Sequence, residues 1–276
     1  MTANIPSNGS TTMDMTFPSP GTVPTGFVIQ KGFRITTTKK PILKAGPIEE
    51  MNSKLGITVP EMIFGDNSVT IEHLASGRSI SFNTFDALDR VDKTGESMLK
   101  VAYSKEWQQS RQNHHEEIKE VVKPFDWSYS TDYKGTTPPH CTFIPSTSPI
   151  PLALLRQPDP ILFFDEVMLY EDELADNGIA MYSCKIRVMP DRLLLLCRFF
   201  LRLDDVIFRI RDTRVFVEFG TGEIVREYTA KEEMYKTVKQ MLAVTREDVP
   251  SMMRDANKLA TLMPVVDYSL ERLVEA

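Results

Sequence analysis

Cysteine and histidine are both scarce in this chain of 276 residues, which carries three of the first and four of the second. Three thiols cannot all pair, and no C-x-x-C occurs. Cys184 and Cys197 fall inside strand-like patterns where a small buried thiol packs readily, so the chain reads as a protein of a reducing compartment, the cytosol and also the nucleus. Also lacking is any run of ~18 apolar residues, because Arg198 and Arg202 interrupt the longest one, and the polar N-terminus has no apolar signal core. Neither a membrane partner nor a secretory leader is expected. The net charge of -6 removes the basic footprint of nucleic-acid binding.

Catalytic signatures are equally thin. There is no G-x-S-x-G elbow, no G-x-x-x-x-G-K-[ST] phosphate loop and no H-E-x-x-H, so neither an enzymatic reaction nor a cofactor is expected. His114 and His115 are adjacent and would point to different sides of a helix or a strand, a poor geometry for a metal pair, while His73 and His140 stand alone. The acidic run Glu171, Asp172, Glu173 and Asp176 lacks the spacing of a calcium loop and reads as a solvated turn. Asp165 and Glu166 would lie on opposite faces of a strand, which prevents joint acid–base work.

What the chain does have is a core and a strand grammar. Hydrophobic residues make up 42%, enough for a packed interior. Leu193 to Cys197 is a continuous apolar run flanked by alternating segments, the pattern of a strand buried on both faces beside half-buried neighbours. Phe199, Leu201 and Leu203 then share one face, and Arg198, Phe200 and Arg202 the other. Asp204-Asp205 is a turn, after which Val206, Phe208 and Ile210 alternate with Ile207, Arg209 and Arg211; Asp212-Thr213 is expected to lead into a further strand, Arg214 to Phe219. The fold expected is α+β, one domain with an antiparallel sheet core, peripheral helices and C-terminal helices.

Along the chain, residues 1 to 25 are rich in Ser, Thr, Pro and Gly and read as a disordered tail, with residues 26–276 forming the domain. GFVIQ and GFRITTT read as short strands from Gly26. Gly46 to Gly56 reads as a helix with Ile48, Met51 and Leu55 on one side. Val69 to Leu74 and Ser79 to Asn83 form a hairpin, after which Asn83 or Thr84 caps a helix opening with Asp86. Ser104 to Gln112 is expected to be helical, and Val121 to Tyr133 extended with Phe125, Trp127 and Tyr129 on one face. Thr136 to Pro151, with five prolines, reads as an irregular connection. Ile161 to Asp172, Ile179 to Met189 and Ile224 to Tyr228 are further strands. Beyond Thr229, whose spacing to Glu232 suits a capping box, helices are expected, two of them near Pro250 to Leu262 and Pro264 to Glu275.

Arginines are dense on the apolar strands: Arg198, Arg202, Arg209 and Arg211 either pair with the chain's own Asp204, Asp205 and Asp212 or line a groove for a carboxylate-bearing peptide. A β-rich small-molecule-binding protein or enzyme, with its pocket under these strands, is the alternative.

Long blocks in this order carry a resemblance: PEMIFGDN from Pro60, FDALDRV from Phe85, MLKVAYSKEWQQSR from Met98, VVKPFDWSYSTDYKGT from Val121, EVMLYEDELADNG from Glu166, KIRVMP from Lys185, LLLLCRFFLRLDD from Leu193 and RIRDTR from Arg209. The chain resembles the TIPRL family of TOR-signalling-pathway regulators. That resemblance implies a non-enzymatic protein that binds catalytic subunits of type 2A, type 4 and type 6 protein phosphatases, with an alpha-four type regulator as a further partner. It implies a cleft that receives the phosphatase's extended C-terminal tail. The partner-binding residues it carries over are Asp86 in the DAL motif, Asp212 in the DTR motif, Ile210 where vertebrate-type sequences place Met, and Ile150 in the long loop. Ile210 and Asp212 are two apart and would share a strand face.

Overall fold

Apolar residues from two antiparallel sheets meet in one core in the computed structural model, which describes residues 25–94, 125–244 and 248–276. The smaller sheet contains β1 (Thr25–Gln30) and β2 (Phe33–Thr38), then, past α1 (Ala45–Leu55) and the two-residue β3 (Met62–Ile63), β4 (Ser68–His73) and β5 (Ser79–Asn83), in the order β1-β2-β4-β5. After α2 (Thr84–Asp89) come β6 (Cys141–Pro145), α3 (Leu152–Leu155), and five long strands: β7 (Phe163–Asp172), β8 (Gly178–Val188), β9 (Arg192–Leu203), β10 (Ile207–Glu218) and β11 (Glu223–Met234). The chain closes with α4 (Tyr235–Ala243), α5 (Val249–Met252), α6 (Ala256–Leu262) and β12 (Val265–Glu275). The larger sheet runs β3-β7-β8-β9-β10-β11-β12-β6, so the expected α+β class with an antiparallel core is what forms.

The inner face of the large sheet is dry. Leu193, Leu195, Cys197, Phe199 and Leu201 of β9 are wholly buried there, facing Phe33, Ile35, Ile71 and Ile80 of the small sheet. Local signals act as read in α1, which stops at Gly56, held at φ 70° where a side chain would be strained and donating its N–H to Asn52. Asn83 caps α2 by accepting the Asp86 N–H at 2.8 Å.

Five expectations give way, four to longer-range pairing and one to local turns. Asp212-Thr213 does not lead into a separate strand, because β10 runs unbroken from Ile207 to Glu218 with every residue opposite one of β9. Thr229 to Met234 stays extended instead of starting a helix, since β10 presents Arg209 directly opposite Glu232 and the two side chains bond at 2.7 Å. The segment expected as the last helix is β12, which closes the otherwise open edge of β11 and sets Glu271 opposite Arg226. The expected connection from Thr136 to Pro151 contains β6 at the other edge of β12, a place where flanking prolines cost no ladder bond. The described part of the expected Val121–Tyr133 strand is a string of turns. Asp126 accepts the Ser128 N–H at 3.0 Å and its hydroxyl at 2.6 Å, and Tyr129 sits at φ 55°. Tyr129 and Tyr133 are thereby dropped into the core beside Tyr170 and Tyr182. The readings of residues 1–24, Ser104 to Gln112 and the His114-His115 pair lie outside the described residues.

Candidate partner-binding groove

Strands β9 and β10 give the site its floor. On the outer face of the large sheet Leu194, Leu196, Arg198, Phe200 and Arg202 of β9 lie opposite Phe216, Arg214, Asp212, Ile210 and Phe208 of β10. One end of this face is covered by α4–α6: Phe200, Phe208 and Ile210 pack with Val238, Leu242, Met252, Leu259 and Met263. The other end is covered by the loop through α3, where Ile150 packs on Phe216 and Val225. Between these covers lies the charged part of the floor, which reaches solvent mainly through Arg214 while Asp212 and Arg198 are largely buried.

Asp212 organises that floor. Its carboxylate is 3% exposed and accepts from Arg198 Nε at 2.6 Å, Arg198 Nη2 at 2.8 Å and Arg214 Nη2 at 2.8 Å. Such a bidentate guanidinium–carboxylate pair fixes both planes. Arg198 spends a further donor on Asn257 Oδ1, at 2.7 Å, tying the strand to α6. Arg214 also reaches Glu227 at 3.3 Å. Arg202 pairs with Asp204 at 2.8 Å. The four strand arginines do not form one cluster: Arg209 and Arg211 point from the inner face, share Glu232, and Arg209 reaches Ser130 at 3.1 Å and Asp126 at 3.7 Å. Burial raises the Asp126 carboxyl above the usual carboxylate range, against the Ser128 bonds and Arg209, which lower it. Internal pairing is therefore the state of all four arginines, and Glu232 and Asp126 are the partners sequence reading did not name.

Two hollows border the floor under the α5–α6 link. One, of 380 Å³, is lined by Lys185, Leu196, Arg198, Arg254 and Asn257 among others. The second, of 520 Å³, includes Ile179, Phe200, Arg202, Asp204 and Arg254. Met181, Arg254 and Ala256 belong to both, which makes them one trough.

Of the four residues carried over from the resemblance, three gather on this face. Asp212 forms its floor, Ile210 supports it from beneath the helices with no exposure, and Ile150 is buried in the opposite cover. Asp86 lies elsewhere, on α2, accepting from Asn83 Nδ2 at 2.8 Å and from the Thr136 hydroxyl. A charge reversal at Asp212 combined with Ile210→Arg is incompatible with this burial, because both side chains would be charged without partners. Arg254, Met181 and Asn257 carried no sequence signal: the first comes from the link between two short helices and the last from the first turn of α6, and nothing in their spacing marks the trough. Other isolated groups are held internally, His73 by Ser76 at 2.8 Å and Asp165 by Thr37 and Lys39 across the chain.

The model of the TIP41-like family matches residues 62–239. The chain is 39% identical over 246 residues to the human TIP41-like protein, covering 88% of this chain and 87% of that one. It is 40% identical over 255 residues to the type 2A phosphatase activator TIP41 of Saccharomyces cerevisiae, covering 86% and 71% respectively. To the TIP41-like protein of Arabidopsis thaliana it is 33% identical over 264 residues, covering 87% and 88%. With a family match across most of the chain, the strands that floor the groove included, this chain belongs to the TIP41-like family.

Proposed function

We propose that this chain is a regulatory protein that binds the catalytic subunit of type 2A-like Ser/Thr phosphatases, with the type 4 and type 6 subunits in its range, and so modulates TOR signalling. The trough on the outer face receives the subunit's extended C-terminal tail. One observation carries the reading: the blocks on which the family resemblance rests, Leu193 to Asp205 and Arg209 to Arg214, become β9 and β10 and supply the groove floor. Two yeast relatives are named as type 2A phosphatase activators, which supports the same partner. An extended chain suits the site, because alternating side chains can enter successive hollows while its main chain runs along the trough. In this reading Ile150, Ile210 and Asp212 shape the groove, and Asp86 contributes at a separate contact.

Calorimetric titration of the full chain with a type 2A catalytic subunit, intact and lacking its tail, tests this. Tight binding that weakens on tail removal is expected. Equal affinity for both forms would move the contact away from the groove, and no binding to either would remove the phosphatase from the reading.

A further inference from the structure

We infer that Arg254 anchors the terminal carboxylate of the bound tail, an assignment that rests on the groove reading above and names the residue that gives it specificity. The cations in the trough are otherwise spoken for. Arg198 is held by Asp212 and Asn257, Arg202 by Asp204, and Lys185 by Glu166 at 2.8 Å. The Asp255 carboxylate accepts the N–H groups of Asn257 and Lys258 at the start of α6. Among the described residues no acidic side chain pairs with Arg254, which is exposed at the point where the two hollows join. Its backbone is nonetheless fixed: the Arg254 N–H donates to the Ser251 carbonyl at 3.2 Å, and Met252 and Met253 just before it are buried in the core beneath the helices.

A guanidinium with free donors on a held backbone binds a carboxylate in bidentate fashion at small entropic cost. The lining sets the direction. On one side of Arg254 the hollow carries Lys185 and Arg198 against Glu166 and Asp255; on the other, Glu173, Asp176 and Asp204 face Arg202. A chain arriving through the first hollow meets the unpaired cation and then a more acidic stretch. Its negative end is favoured at Arg254, and further chain carrying negative charge is not. Met181 and Ala256 beside it offer an apolar seat for the last side chain.

The test is calorimetry of the full chain, wild type and Arg254→Gln, with a peptide of the catalytic subunit's tail made both as free acid and as C-terminal amide. The expected result is that wild type binds the free acid about tenfold more tightly than the amide, while Arg254→Gln binds both alike at the amide's affinity with an unchanged melting temperature. Wild type binding acid and amide equally, or the variant keeping the preference, overturns the anchor while leaving the groove in place. A peptide that binds neither protein, with the intact subunit still binding, overturns the anchor and the groove reading together. A peptide whose internal Asp or Glu, changed to Asn or Gln, abolishes the Arg254 effect while amidation does not would assign the contact to a side chain and overturn the terminal anchor.

Discussion

The two faces of the large sheet are made by the same strands and obey different chemistry. The inner face meets the small sheet through wholly buried aliphatic and aromatic side chains, and its arginines lie at the margins: Arg209 and Arg211 at the Ile207 end of β10 beside the Asp126–Ser130 turns and Glu232, and Arg226 on β11 against Glu271 and Phe143. The outer face is covered only in part, and its middle is a network of paired charges around Asp212. The inner face gains its stability from area removed from water, about 25 cal/mol per Å². The outer face gains mainly shape, since burying charges costs about as much as pairing them returns. A surface fixed by bidentate pairs is rigid without being hydrophobic, which is what a selective docking floor requires.

The comparison breaks most severely if a charge enters either cover. Ile210→Arg places a cation among Phe200, Val238 and Leu259 and should destabilise the fold by more than about 4 kcal/mol, read by urea unfolding. A well-folded variant would show that the C-terminal helices lift away from the sheet. On the inner face Phe199→Ala should cost about 4 kcal/mol through cavity formation. Asp212→Ala, which leaves Arg198 and Arg214 without their carboxylate, should cost about 3 kcal/mol, and adding Arg198→Met should recover part of that loss in a double-mutant cycle. Additive losses would mean that the pair is not coupled and that the outer face is held by packing after all.

The smallest effect is one of pH. Because burial raises the Asp126 carboxyl, the native state holds that proton more firmly than the unfolded chain does. The stability this confers is complete below the ordinary carboxylate range and is lost as pH rises through the native value. Asp126→Asn removes the titration, so its unfolding free energy should gain on wild type as pH rises out of the ordinary carboxylate range. A shift in the opposite direction would mean that Arg209 and Ser128 outweigh burial at this site.

Sequence alone determined a good deal. Period-two alternation fixed β8, β9 and the start of β10, because a strand with one buried face must repeat every second residue. The caps at Asn83 and Gly56 were legible because they depend on neighbours within a turn. The resemblance blocks gave the family. Three of the four carried-over site residues do meet on one face, through alternation and register that the chain itself encodes.

Tertiary structure decided the rest. Whether Thr229 to Met234 and Val265 to Glu275 became helix or strand turned on an open sheet edge and on Arg209 and Arg226 waiting across it, partners tens of residues away. Tyr129 and Tyr133 read as strand residues because alternation cannot register the Asx turn at Asp126–Ser128 that ends the extended run just before Tyr129. Ile210 looked like a docking residue and is core, since exposure is set by which helices return to cover a strand. Arg254 becomes distinctive only when every other cation in the trough has found its carboxylate, and that is a property of three-dimensional neighbours, not of spacing along the chain.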